Sequence, residues 1–307
     1  MAHVAFIGVG RLGSSIAYTA AYEPYIEKMT LVDVVEGLAE KVAEDISHGL
    51  SLHSRDFEAV GYEDPSKVED ADLIVVVAGF PRKPDMSRRE LAGKNAGIIK
   101  SVVEKTMEKN PDAIYFIVTN PVDALATLAA NTLGDPDRVI GTGTMLDTAR
   151  FRYVLARELN LPVSSVEGYI GGEHGEAAVP LWSTVYINGR PVDEYDLDKD
   201  KVFRYVRDIA AKIIAKQGAT LWGPAGAFIH VIRGILLNTG VILSYARQYK
   251  FDNIPEPVYL TVPSRIGRGL RDDIWNRLWD EEKAAIKKSA EAIYQTYSEC
   301  LEALKGQ

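Results

Sequence analysis

Gly8-Val9-Gly10-Arg11-Leu12-Gly13 follows the apolar run Val4-Ala5-Phe6-Ile7 and leads into a helix-compatible stretch, 12–21. A G-x-G-x-x-G motif alone is a weak signal. Between a strand and a helix it stands where such loops cradle a dinucleotide. Gly8 permits the tight turn, Gly10 lets backbone approach a pyrophosphate, and Gly13 lets the helix pack on the strand. The diphosphate would then rest on N–H groups at the positive end of the helix. Asp33 lies 20 positions beyond Gly13, at the end of the next strand-like run. A carboxylate there accepts hydrogen bonds from ribose hydroxyls and repels a 2′-phosphate, so NAD is expected rather than NADP. A flavin uses the same fingerprint, so other motifs must decide the cofactor class.

Outward from this motif, short apolar runs at 4–9, 29–33, 57–61, 73–77, 114–118 and 139–140 alternate with helical patterns at 12–21, 38–48, 92–109 and 122–132. Strands alternating with helices imply parallel pairing through right-handed crossovers. Continuous apolarity, as in Leu73-Ile74-Val75-Val76-Val77, fits strands covered on both faces. The expected class is α/β, a Rossmann-type doubly wound parallel sheet. After residue 144 the rhythm changes. A helix over 145–161, strands near 166–170, 184–187 and 258–262, and helices ending near 217 and spanning 280–304 suggest a mixed α+β substrate domain. Domains 1–144 and 145–307 are therefore expected, without a flexible hinge.

The 307 residues carry 43 acidic and 35 basic side chains, a net charge of −8. That balance lacks the electrostatic footprint of a nucleic-acid or anionic-membrane binder. No apolar run reaches 18 residues and no leader pattern opens the chain, so a cytoplasmic protein without membrane partners is expected. One cysteine, Cys300, allows neither an internal disulfide nor a cysteine-based zinc site. His48 and His53 lack metal-motif spacing, and no metal is expected.

Gly172-Glu173-His174-Gly175 is the sharpest chemical feature. Small neighbours leave room around the ring, and an imidazole near neutrality can give and take a proton. A histidine taken alone is more often structural. Asp147 and Arg150, in Leu146-Asp147-Thr148-Ala149-Arg150, share a helix face. By themselves they read as a first-turn acid and its surface partner. The functional alternative has Asp147 holding His174 and Arg150 clamping a carboxylate. The loop Gly79-Phe80-Pro81-Arg82-Lys83-Pro84-Asp85-Met86-Ser87-Arg88-Arg89 concentrates cations in an acidic protein. Thr119-Asn120-Pro121 ends the following strand, with an Asn-Pro bond that could be cis.

In this order, the glycine motif, Asp33, Pro81-Arg82-Lys83-Pro84 with Arg88, Thr119-Asn120-Pro121-Val122-Asp123, Leu146-Asp147-Thr148-Ala149-Arg150 and Gly172-Glu173-His174-Gly175 resemble the L-lactate/malate dehydrogenase family. The resemblance is strongest to its lactate-dehydrogenase-like malate group and spans essentially the whole chain. It implies hydride transfer between NAD and a 2-hydroxy acid. It also implies that His174 exchanges the hydroxyl proton, Asp147 orients it, Arg150 binds the adjacent carboxylate and Arg88 polarises the carbonyl. Asn120 and Thr220 would line the substrate pocket. Cofactor contacts are implied for Gly8, Gly10, Arg11, Leu12, Gly13, Asp33, Ala78, Gly79, Asn95, Val118 and Asn120. Within the family, arginine at the position of Arg82 goes with malate and glutamine with lactate. A homo-oligomer, tetramer or dimer, is implied as well.

Two departures stand out. Asp85 replaces the glycine common in the malate loop, and Glu176 replaces the usual Asp after Gly-Glu-His-Gly. Some lactate-specific relatives bind a phosphate effector; Arg152 is present here, but Glu167 would repel phosphate, so no such activation is expected. The rival readings are an L-lactate or broader 2-hydroxyacid dehydrogenase and a non-catalytic NAD-binding protein. A short-chain dehydrogenase would need the Tyr195…Lys199 pair, which sits in a remote polar stretch.

Overall fold

The computed structural model describes residues 2–53, 55–80, 88–269 and 272–305, with backbone only at 88 and 89. Strands β1 (Ala2–Ile7), β2 (Ile26–Val32), β3 (Glu58–Tyr62), β4 (Leu73–Val76), β5 (Ile114–Ile117) and β6 (Val139–Gly141) form one sheet in the order β3-β2-β1-β4-β5-β6. Every pairing in it is parallel. Helices α1 (Arg11–Ala21), α2 (Leu38–Leu50), α3 (Arg88–Thr106) and α4 (Val122–Leu133) supply connections. The chain reverses direction across the sheet between β1 and β4. Ligands of open α/β sheets bind in the crevice beyond the carboxyl ends of such strands.

Alternate residues of each strand enter different layers. Val4, Phe6, Leu73 and Val75 join one core, and Ala5, Ile7, Ile74 and Val76 join the other. This two-sided burial explains the unbroken apolar runs.

Helix α5 (Met145–Glu158) opens the second half and packs on β7 (Val166–Gly172), which pairs antiparallel with β8 (Ala178–Ile187). The small strands β9 (Arg190–Pro191), β10 (Ile242–Leu243), β11 (Arg247–Tyr249), β12 (Val258–Leu260) and β13 (Ser264–Arg265) complete it, with helices α6 (Lys199–Gln217), α7 (Trp222–Leu236) and α8 (Asp280–Lys305). Helices α7 and α8 do more than extend this half. Phe228, Val231 and Ile232 of α7 enter the core layer shared with α1, while Tyr297 and Cys300 of α8 enter the layer shared with α3 and α4. Among the described residues, no helix is long and apolar enough to cross a membrane.

Several elements differ from the sequence reading. Helix α5 stops at Glu158, and Asn160 takes a left-handed φ of 53°. Strand β8 starts at Ala178 rather than near 184, running through Pro180. Periodicity assigns nothing to 222–236, where α7 lies, because the exposed stripe of this largely apolar helix starts with Trp222, Gly223 and Gly226 rather than with charged side chains. The Tyr195 hydroxyl donates to the Ile187 carbonyl (2.8 Å), and Lys199 pairs with Asp193 (2.6 Å), which accounts for both structurally.

Candidate active site

The nucleotide wall of the crevice starts at the turn after β1. Gly8 has φ +92°, and a Cβ there would lie 2.4 Å from the Ala78 nitrogen. At Gly13 a Cβ would lie 1.9 Å from the Gly8 carbonyl oxygen, so helix and turn can meet only without a side chain. Gly10, by contrast, faces open space: nothing lies within 4 Å of its would-be Cβ. It is the N-cap of α1, with no side chain capping the helix. Free N–H groups and open space fit a diphosphate. Beyond the end of β2, Asp33 accepts from the Val9 N–H (2.9 Å) and the Val35 N–H (3.1 Å). Its carboxylate thus stands beside the glycine turn, where ribose hydroxyls would lie. Arg11 points its guanidinium the other way, to the Gln217 carbonyl at the end of α6 (2.9 Å).

Two further loops close the crevice. Asn95, 2% exposed on α3, accepts from the Phe80 N–H and donates to the Asn120 carbonyl, both at 2.8 Å. It therefore ties the loop after β4, containing Ala78 and Gly79, to the loop after β5. The Thr119 hydroxyl adds a bond to the Ala78 carbonyl (2.8 Å), and Val118 is buried beside them. The Asn120–Pro121 peptide is cis.

The opposite wall carries the charge. Thr144 donates through its hydroxyl to the Ile170 carbonyl (2.6 Å), and the Ile170 N–H donates to Thr148 (2.9 Å). These bonds fasten the start of α5 to β7, so Asp147 faces the loop that follows β7. His174 Nδ1 lies 2.6 Å from Asp147 Oδ2, and Arg150 Nη1 lies 3.2 Å from Asp147 Oδ1. Burial pushes the Asp147 carboxyl up, but His174 and Arg150 outweigh it and hold the group below the usual range. Burial pulls the His174 imidazole down; Asp147 and Asp123 outweigh that and raise it to about 9. His174 and Asn120 both line a cavity of about 1050 Å³, along with Leu91, Glu173 and Lys288.

The structure thus brings His174, Asp147 and Arg150 into contact. Thr220 lies half-buried between α6 and α7 and is not among the cavity's lining residues. Leu12 is partly buried against the α1 core layer. Arg82 and Asp85 lie outside the described residues; Arg88 opens α3, its side chain outside them as well. One contact escaped sequence reading altogether: Asp123 Oδ2 accepts the His174 backbone N–H at 2.7 Å. Its only signal was its place directly after Asn120-Pro121-Val122, where a first-turn acid reads as a helix-dipole residue.

Comparison with known proteins gives the same assignment from both halves. Residues 2–141 match the family model of the lactate/malate dehydrogenase NAD binding domain, and residues 144–303 match that of the alpha/beta C-terminal domain. A malate dehydrogenase of Sulfolobus acidocaldarius is 38% identical over 306 residues, covering 99% of each chain. An L-lactate dehydrogenase of Halalkalibacterium halodurans is 38% identical over 296 residues, covering 94% of each. Among solved structures, malate dehydrogenase from Archaeoglobus fulgidus in complex with NADH superposes with TM-score 0.88 at 30% identity, covering 97% of this chain and 99% of that one. Minor L-lactate dehydrogenase from Enterococcus mundtii, in a ligand-bound form, gives 0.89 at 30% identity, covering 97% and 98%. Relatives named for either substrate match equally well along nearly the whole length, and what they have in common defines this chain: it belongs to the lactate/malate dehydrogenase family, as an oxidoreductase that uses NAD.

Proposed function

We propose that the protein is an NAD-dependent malate dehydrogenase, interconverting (S)-malate and oxaloacetate. The observation that carries the redox chemistry is the 2.6 Å contact between His174 Nδ1 and Asp147 Oδ2. With Nδ1–H donated to Asp147, Nε2 is the ring nitrogen left to exchange a proton. Bound NAD supplies the hydride acceptor. In oxidation His174 takes the C2 hydroxyl proton at Nε2; in reduction the imidazolium returns it. Asp147, kept ionised by its partners, stabilises that imidazolium. Arg150 offers a two-pronged partner to the carboxylate beside the reacting carbon. Arg88, at the start of α3, would polarise the carbonyl oxygen, and Asn120 and Thr220 would complete the substrate contacts.

Arg82 supports malate over lactate. Oxaloacetate carries a second carboxylate, and burying it without a cation is costly. Malate dehydrogenases of Sulfolobus acidocaldarius and Sulfurisphaera tokodaii, at 38% and 36% identity, support the same reading. The second reading, an L-lactate or broader 2-hydroxyacid dehydrogenase, is favoured by the equal identity of the Halalkalibacterium halodurans enzyme. NADH consumption with oxaloacetate and with pyruvate separates the two. Arg82→Gln lowers kcat/KM for oxaloacetate by about 10²–10⁴, the loss of ~3–5 kcal/mol of charge pairing. Unchanged oxaloacetate kinetics remove Arg82 as the discriminator, and a wild type that prefers pyruvate makes the protein a lactate dehydrogenase. A protein that binds NADH and turns over neither acid is the non-catalytic alternative. We further propose a cytoplasmic homo-oligomer, a tetramer or a dimer, on family membership.

A further inference from the structure

His174 is held twice. Asp147 grips the ring from α5, and Asp123 grips the backbone from the first turn of α4. The second grip joins the two halves of the chain: Asp123 lies within the residues matching the NAD-binding-domain model, and His174 within those matching the C-terminal-domain model. Asp123 is 3% exposed, and the side chain of Asp123 is not the cap of its own helix. Its Oδ2 accepts the His174 N–H at 2.7 Å, while its Oδ1 is buried without a hydrogen-bond partner among the described residues. An asparagine oxygen could accept the same N–H. What a carboxylate adds is negative charge, here at the cost of an unsatisfied buried oxygen.

We propose that Asp123 is a second positioning carboxylate for His174, fixing the backbone of the proton-exchanging residue while its charge favours the imidazolium. This rests on the reading of His174 as the proton-exchanging group. Among the described residues, the other charged groups acting on the pair are Asp147 and Arg150 from α5 and Glu173 from the same loop. The Glu173 Oε2 is engaged elsewhere, accepting the Ala177 N–H (3.0 Å). Asp147 and Asp123 raise the imidazole and Arg150 lowers it, so Asp123 acts in the same direction as the ring's own partner. Burial, opposed by His174, in turn pushes Asp123 up to about 7, so it carries its charge on the alkaline side, where the imidazole at about 9 loses its proton.

The test compares Asp123→Asn with Asp123→Ala in the NADH-bound enzyme. Oxaloacetate reduction needs the imidazolium, so its rate falls as pH rises through the His174 titration. Removing the charge moves that fall to lower pH, by about 0.5–1 unit in both variants. The alanine variant also loses the acceptor, and its kcat/KM drops about tenfold below that of the asparagine variant. Ring titration of ¹³C-labelled histidine in the NADH complex, assigned with His174→Asn, reads the same shift without turnover. A wild-type midpoint in Asp123→Asn overturns the charge role, and equal kcat/KM in the two variants overturns the positioning role. Should neither variant fold, Asp123→Glu keeps the charge and displaces it: a wild-type midpoint with lowered kcat supports the proposal, and wild-type kcat refutes it. If the wild type reduces no 2-oxo acid, the functional reading fails while the ring titration still decides on Asp123.

Discussion

The two walls of the crevice are made of different materials. Apart from Asp33 and Arg11 at its rim, the nucleotide wall is backbone and neutral side chains: a turn that tolerates no Cβ at Gly8, the amide of Asn95 bridging two loops, the Thr119 hydroxyl on a carbonyl. The proton wall gathers Asp147, Arg150 and His174 on one ion-paired chain, with Asp123 reaching in from α4. One wall is defined by shape, the other by field. Damage to the first should surface as lost affinity and stability, and damage to the second as lost rate and altered pH dependence.

The largest expected effect lies on the charged wall. His174→Asn lowers turnover about 10²–10⁴-fold, the usual contribution of a positioned acid–base group, while NADH affinity by fluorescence titration stays within about twofold. Equal loss of affinity would erase the division between the walls. Next comes Gly8→Ala, which places a Cβ 2.4 Å from the Ala78 nitrogen at φ +92°. It should cost about 2–4 kcal/mol in urea unfolding and weaken NADH binding. The pH midpoint of its residual activity should match wild type; a shifted midpoint would show that shape and field are not separable. The smallest effect sharpens the picture at the rim. Asp33→Ser raises the NADPH-to-NADH ratio of kcat/KM about tenfold, or ~1.4 kcal/mol, by removing the charge that repels a 2′-phosphate. An unchanged ratio removes Asp33 from cofactor choice.

The same division governs how much could be read from sequence. Strands buried on both faces, such as Leu73–Val76, declare themselves by composition, and the glycine motif by spacing, because both obey local rules. Helix α7 breaks that pattern: Ala225, Phe228, Ile229, Val231 and Ile232 are buried, while its exposed stripe begins with Trp222, Gly223 and Gly226 and turns polar only at His230, so polarity barely marks the period. Strand β8 looks short from sequence because Pro180 interrupts its first half. At the site, the residue types His174, Asp147 and Arg150 stood out, but nothing local states that the first two meet at 2.6 Å across 27 positions. The Asp123 contact spans 51 positions, and Asn95 joins two loops from a helix that carries its own periodicity. Such contacts are properties of the closed fold.

Helix α8 has a consequence for how the molecule comes into being. Its Tyr297 and Cys300 lie in the layer that holds Ala5, Ile7, Ile74 and Tyr115. A ribosome makes all six parallel strands long before residues 280–305 emerge, so one side of the nascent sheet travels out with part of its apolar coat still to come. Until that coat arrives, part of this apolar layer stays uncovered, and a nick or premature stop before α8 would strike the cofactor fold rather than an appendage of it.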